Sequence, residues 1–229
     1  MCTKDAAAPK GERQKWDDYY ASLPTMDVDD ATRAFGEDLA ERIRELLPPD
    51  AKVLEAGCGA GTQSVVLAQN SKLQLTLMDF SSEALACAER IFAKDNLPAK
   101  FVCQDVFAPG EPEYDLVFNA GVLEHYTFDQ QVGFVRGMAS RSNKFVLALV
   151  PNRMCYWYWL WRLQQAGRGQ WPYGKEAPMA NLSAVFEAAG LRFLGHWFGG
   201  GNWTESFITH LDGMTSGCAM KSWPCIARR

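Results

Sequence analysis

The chain has 229 residues, 48% of them hydrophobic and 22% charged, enough to bury one good core, and a single domain is the simplest count. A net charge of −4 with no lysine or arginine run gives no electrostatic reason to bind a polyphosphate backbone, so nucleic acid is not expected as a substrate. The seven cysteines, Cys2, Cys58, Cys87, Cys103, Cys155, Cys218 and Cys225, are odd in number and never in C-x-x-C spacing, which points to neither a disulfide framework nor a zinc site and fits a reducing cytoplasm.

Residues 1–12 read as a disordered tail, with Pro9 and Gly11 among polar neighbours. Met1 to Lys15 holds no apolar signal segment, and no run along the chain approaches the ~20 apolar residues that span a bilayer. Trp16, Tyr19 and Tyr20 stand at i, i+3 and i+4 and share one helical face, which can either pack the helix down or close over a ligand. Phe35 to Leu47 carries Leu39, Ile43 and Leu46 or Leu47 at helical spacing before Pro48-Pro49 stops it.

Residues 53–61 read Val53-Leu54-Glu55-Ala56-Gly57-Cys58-Gly59-Ala60-Gly61, a strand that runs into three glycines at alternate positions. Glycines crowd at a strand-to-helix junction when the backbone must turn tightly and a ligand must lie against bare peptide. The helix that follows, Thr62 to Ala68, points free N–H groups and its dipole at that ligand. A dinucleotide loop of G-x-G-x-x-G spacing needs its third glycine at position 62, where this chain has Thr62.

A second strand, Leu73 to Met78, ends at Asp79-Phe80-Ser81-Ser82. An acidic residue there, about 20 residues past the loop, can accept from both hydroxyls of a ribose. A helix from Ser82 presents Leu85, Ala88, Ile91 and Phe92 on one side. The third strand, Lys100 to Gln104, ends at Asp105, and the fourth, Tyr114 to Asn119, runs into Ala120-Gly121-Val122-Leu123-Glu124-His125-Tyr126. Lys144 to Val150 is the fifth strand, stopped by Pro151.

Met154 to Trp161 and Gly167 to Gly174 then depart from the strand and helix plan, with Tyr156, Trp157, Tyr158, Trp159, Trp161, Trp171 and Tyr173 among them. A helix that is apolar all round must be covered. The segment can be a lid without a chemical role, an aromatic acceptor pocket built from Trp157, Tyr158 or Trp161, or a surface for a dimer or for peripheral membrane contact, flanked by Arg153 and Arg162. Helix Leu182 to Ala189, closed by Gly190, leads to strand six, Leu191 to Phe198, and the chain ends Trp223-Pro224-Cys225-Ile226-Ala227-Arg228-Arg229.

The E-x-G-x-G-x-G string from Glu55 to Gly61, Asp79, Asp105 and the D-L-V-x-x-x-G-V-L-E-H run from Asp115 to His125 stand in one order and spacing, and in them the chain resembles the class I S-adenosylmethionine-dependent methyltransferases of small-molecule type. The resemblance covers roughly residues 35 to 229. It implies an α/β fold: a doubly wound, Rossmann-like, seven-stranded, mostly parallel sheet with helices on both faces and an N-terminal helical cap. Residues 13–229 would be one methyltransferase domain, with cap helices over 13–50 and a lid insertion over 153–180.

The resemblance also implies S-adenosylmethionine as cofactor and a small-molecule acceptor, aromatic or hydrophobic. Gly57, Cys58, Gly59 and Gly61 would admit its methionine and ribose part, Glu55 its amino group, Asp79 its ribose hydroxyls. Phe80, Gln104, Asp105 and Val106 would frame adenine, and Asn119 and Ala120 would give backbone near the methionine end. Tyr19, Tyr20, Trp157 and Trp161 are the expected acceptor contacts.

In-line displacement on a sulfonium methyl obliges no base, but for a hydroxyl or phenol His125 is the candidate, against the simpler role of holding its own loop. His196 in strand six and His210 beyond it are weaker candidates. No metal is expected, and the chain is read as a cytoplasmic monomer or homodimer. Two other readings stand beside this one. An NAD(P)-dependent oxidoreductase is disfavoured by Thr62 and by the lack of a Tyr-x-x-x-Lys pair. A non-catalytic cofactor-binding accessory protein would use Trp157 to Trp161 as its docking face. The turn Asn119-Ala120-Gly121-Val122 also lacks the N-P-P-Y or D-P-P-Y run of amino-methylating nucleic-acid enzymes.

Overall fold

The computed structural model describes residues 11–23, 28–153, 155–171, 173–177, 179–196 and 222–228, with the backbone alone for residues 31, 156, 157 and 222–228. Strands β1 (Lys52–Ala56), β2 (Gln74–Asp79), β3 (Lys100–Cys103), β4 (Tyr114–Ala120) and β5 (Ser142–Pro151) lie parallel in the order β3-β2-β1-β4-β5. The sheet continues through β7 (Ser222–Arg228), antiparallel to β5, to β6 (Arg192–His196) at its edge. The four residues Val53, Leu54, Glu55 and Ala56 are all buried, as a strand covered on both faces requires.

Helices α2 (Asp30–Leu46), α3 (Thr62–Asn70) and α4 (Ser82–Lys94) cover one face, burying Ile43, Val65 and Phe92 against Val53, Leu77 and Phe118. Helices α5 (Phe128–Arg141) and α7 (Ser183–Ala188) cover the other, burying Val135, Met138 and Phe186 against Leu54, Val117 and Val146. Helix α1 (Glu12–Ser22) packs across α4, and α6 (Tyr156–Gly167) follows β5. Strand order reverses between β1 and β4, whose connections leave to opposite sides and open a crevice at their carboxyl ends.

Some bounds differ from the sequence reading. Helix α2 starts at Asp30, not Phe35, because the Asp29 carboxylate caps it by accepting from Thr32 N–H at 2.7 Å. Helix α5 was not anticipated, although Thr127 and Gln130 form a capping box at its start. Glu12 already belongs to α1, and residues 1–10 of the expected tail lie outside the described residues, as do Trp197, Phe198 and His210. Among the described residues no helix is long and apolar enough to cross a membrane.

Candidate functional site

At the end of β1 the chain turns through Gly57, Gly59 and Gly61, all with positive φ (70°, 53° and 69°). Gly57 and Cys58 donate their N–H groups to the Met78 carbonyl at 2.8 and 3.1 Å, pinning the loop to β2. A Cβ on Gly61 would lie 2.4 Å from Leu77 Cδ2, so this glycine serves the close seat of α3 on the sheet. A Cβ on Gly59 would lie 2.1 Å from the Tyr20 hydroxyl oxygen, so α1 crosses directly over the loop.

Beyond the loop, a cleft of about 510 Å³ occupies the crevice. Its floor holds Glu55, Gly57, Cys58, Gly59, Asp79, Phe80, Asp105, Val106 and Ala120; Tyr19, Tyr20, His125, Tyr158, Trp161 and Tyr173 also line it. Three residues expected at the site do not line it. Gly61 faces Leu77, Gln104 is exposed, and Asn119 is fully buried with neither amide heteroatom partnered. The side chain of Trp157 lies outside the described residues.

Glu55 is 2% exposed and accepts from Ser64 Oγ at 2.6 Å. Burial pushes its carboxyl up to about 8, against the pull of that hydrogen bond. Asp79 is also buried. Its Oδ2 accepts from Gly59 N–H and its Oδ1 from Ser81 N–H, both at 2.9 Å, so the carboxylate first of all ties β2 to the loop. Burial raises its pKa and these backbone donors lower it. At the next strand end Asp105 Oδ1 accepts from Phe107 N–H at 3.0 Å.

Arg141, a residue no motif marked, holds that turn from below. It is 3% exposed and donates to the carbonyls of Val106, Gly137 and Asp105 at 3.1, 2.8 and 3.3 Å. Its signal in the sequence is only a lone arginine at the end of an amphipathic helix.

The mouth of the cleft is aromatic. Tyr19 Oη donates to Tyr173 Oη at 3.1 Å, Trp16 stacks on Tyr173 with centroids 6.2 Å apart, and Trp16 meets the His125 ring edge-on at 5.9 Å. Thus α1 and the segment after α6 close over the same opening. Trp159 Nε1 donates to the Asn152 carbonyl at 3.0 Å, fixing α6 to the end of β5. Leu160 and Leu163 on the outer side of α6 are 54% and 67% exposed.

The short 3-10 turn Leu123–His125 after β4 carries two titratable side chains. His125 Nδ1 lies 2.9 Å from the Lys175 carbonyl, which can only accept, so the proton sits on Nδ1 and the Nε2 lone pair is left available. Burial lowers the His125 pKa against the pull of the Lys175 hydrogen bond and of Glu176, which favours the neutral ring. Glu124 is 3% exposed, its Oε2 has no partner, and burial pushes its carboxyl up to about 8. Glu176, far along the chain, brings a third group. Its Oε2 accepts from both Tyr158 Oη at 2.9 Å and Arg162 Nε at 3.0 Å.

Residues 53–143 match the model of the family described as a methyltransferase domain. Over that stretch the chain is similar to a methyltransferase domain. Ribosomal RNA small subunit methyltransferase C of Actinobacillus pleuropneumoniae serotype 5b (strain L20) is 40% identical over 67 residues, 29% of this chain and 20% of that protein. The protein of the same name from Aliivibrio fischeri is 27% identical over 166 residues, 66% of this chain and 48% of that protein. The chain therefore spans between a fifth and about half the length of these curated relatives. The crystal structure of magnesium protoporphyrin IX methyltransferase from Synechocystis PCC 6803 with bound SAH superposes with a TM-score of 0.63 at 18% identity, covering 94% of this chain and 93% of that one. This last likeness is one of fold. The stretch so matched begins in β1 and ends within β5, and it contains the glycine loop, Asp79, Asp105 and His125.

Proposed function

We propose that this chain is an S-adenosylmethionine-dependent methyltransferase whose acceptor is a small molecule with a flat or hydrophobic body. The observation that carries the reading is a single cleft at the switch point of the sheet, lined at one end by the glycine loop with Asp79 and Asp105 and at the other by His125, Tyr158, Trp161 and Tyr173. The residues fit the cofactor. Gly57 and Gly59 line the cleft, and the buried Glu55 carboxyl at the same end would gain a counter-charge from an ammonium group. Phe80, Asp105 and Val106 would frame the adenine, and Ala120 with Gly121 would border the methionine end. Asp79 would reach the ribose with the lone pairs that Gly59 and Ser81 leave over.

The bound sulfonium supplies an activated methyl group. The chain's part is to align the acceptor, exclude water and, for an O–H acceptor, take its proton at His125 Nε2. Tyr19 and Tyr20 on α1, with Trp161 and Tyr173, supply the roof that keeps water out. In this reading α1 and α2 are a cap over residues 13–50, residues 153–180 form the lid, and both act with the seven-stranded sheet as one unit.

A ribosomal RNA acceptor is the second reading, favoured by the names of the curated relatives. The net charge of −4 and the aromatic roof weigh toward the small molecule. Isothermal titration calorimetry with S-adenosylhomocysteine tests the cofactor, with NADH and NADPH as controls. One-to-one binding near micromolar affinity, about −8 kcal/mol, is expected. Binding of a nicotinamide in its place would overturn the reading. For the acceptor base, His125→Ala should lower turnover on a hydroxyl acceptor by about 10²–10⁴-fold, and unchanged turnover would return His125 to a purely local role.

A further inference from the structure

Two carboxyl groups and an imidazole converge beside the cleft, which Glu124 and His125 line, from segments about 50 positions apart in the chain. One ligand-capable atom from each of Glu124, His125 and Glu176 lies within 4.8 Å of the other two. Both acidic side chains are nearly sealed from water, Glu124 at 3% exposure and the Glu176 side chain at 4%. Two carboxyls buried together can both ionise only against positive charge. Arg162 answers for Glu176 alone, and both bonds to that carboxylate fall on Oε2, so Oε1 is not used by them. Glu124 has no such answer. Its Oε2 is buried and without a partner, in a turn that also presents the His125 ring.

The histidine is prepared in the way metal-binding histidines are: one ring nitrogen donates to a backbone carbonyl, which fixes the tautomer and leaves the other with its lone pair. We propose that Glu124, His125 and Glu176 form a divalent-cation site at the acceptor end of the cleft, of a kind that takes Mn²⁺ or Zn²⁺. Two carboxylate oxygens and one imidazole nitrogen are a ligand set of mixed hardness that suits these ions, and three protein ligands leave positions open toward the cleft. The ion completes the charge balance: with Arg162, it faces two carboxylates and a neutral ring. Resting on the methyl-transfer reading, such an ion would lower the pKa of an acceptor hydroxyl bound to it. A coordinated imidazole is no longer a base, so the ion would then do the activation assigned above to His125.

The test is calorimetric titration of the full chain, first stripped with a chelator, with MnCl₂ and separately with ZnSO₄. Manganese is the deciding probe, because thiols such as the exposed Cys103 compete for zinc. One Mn²⁺ per chain is expected, with the affinity reduced at least about 10-fold in Glu124→Gln and in Glu176→Gln. Glu176→Gln also disturbs the lid through Tyr158 and Arg162, so the nearly isosteric Glu124→Gln is the cleaner variant. Ion binding should raise the melting temperature of the wild-type chain and leave that of Glu124→Gln unmoved. No stoichiometric Mn²⁺ binding, or binding that Glu124→Gln leaves unchanged, would overturn the site. S-adenosylhomocysteine titrated into the same preparations separates the two ideas. Its binding without the ion rejects the cation site alone, and ion binding without it rejects the methyltransferase reading while the site stands.

Discussion

Replacing Gly59 by alanine imposes two separate penalties, and a second substitution tells them apart. The residue has a φ of +53°, and holding an L-residue in the left-handed region costs roughly 1–2 kcal/mol. The new methyl carbon would stand 2.1 Å from the Tyr20 hydroxyl oxygen and 3.0 Å from its Cζ, an overpacking worth about 1–3 kcal/mol. Gly59→Ala should therefore destabilise the chain by about 2–5 kcal/mol. In a Tyr20→Phe background the 2.1 Å contact is gone, most of the second penalty disappears, and about 1–2 kcal/mol of backbone strain remains. The assay is urea unfolding of the four proteins of the cycle, with the m-value checked for constancy. A coupling of about 1–3 kcal/mol is expected between the two sites. If Gly59→Ala costs the same in both backgrounds within about 0.5 kcal/mol, the hydroxyl of Tyr20 is not seated on the loop and α1 is not its roof.

The ligand-free, chelator-treated chain should lose stability as pH rises from about 4.5 toward 8. Burial raises Glu55 and Glu124 from 4.5 to about 8, so the folded state binds more protons than the unfolded one over that window, with a slope of up to about 1.4 kcal/mol per pH unit for each group. His125 acts with the opposite sign, since its lowered pKa adds stability as pH rises through its ordinary 6.5. Thermal melts across the window should show the net loss and a shallower slope in Glu124→Gln; stability rising steadily with pH would contradict both carboxyl assignments. Gly137→Ala would place a methyl carbon 1.9 Å from the Val106 carbonyl oxygen, backbone against backbone, and should cost about 3 kcal/mol in urea unfolding; a wild-type midpoint would deny the tight seat of α5. Arg141→Met removes three hydrogen bonds, leaving the Val106 carbonyl without this donor while Gly137 and Asp105 keep Ser140 Oγ and Ala108 N–H, and should cost about 1–3 kcal/mol. It should also weaken S-adenosylhomocysteine binding by loosening the turn at Asp105 and Val106, and calorimetry showing unaltered affinity would separate that turn from the cofactor.

The sheet was legible because each parallel strand is an apolar run closed by a polar residue, as Gln74 to Asp79 and Tyr114 to Asn119 show. The glycine loop was legible because three positive-φ positions in five residues leave almost no other residue type permissible. Helix α5 escaped because its Gly133 and Gly137 break the expected periodicity, though they are there to let Phe107 and Val106 approach. Asp79 was read as a ligand-facing carboxylate, and only the fold adds that its two oxygens are first engaged by Gly59 and Ser81. Gly61 matched the cofactor motif by spacing, yet its Cβ direction points at Leu77, away from the cleft. The burial of Glu124 was not legible in the sequence, because a carboxylate in a turn has no periodicity to read.

By itself the sequence determined the glycine-loop end of the cleft. That end is built from contiguous stretches, Glu55 to Gly61, Met78 to Ser82 and Phe101 to Val106, in which spacing along the chain dictates geometry through backbone conformation. Tertiary structure alone decided the aromatic end. There Glu124 and His125 meet Lys175 and Glu176, Tyr19 meets Tyr173 from 154 positions away, and Arg162 shares a carboxylate with Tyr158. These pairings join segments with no common period, and they form only because the sheet brings the ends of β4 and β5 side by side and α1 folds back over them.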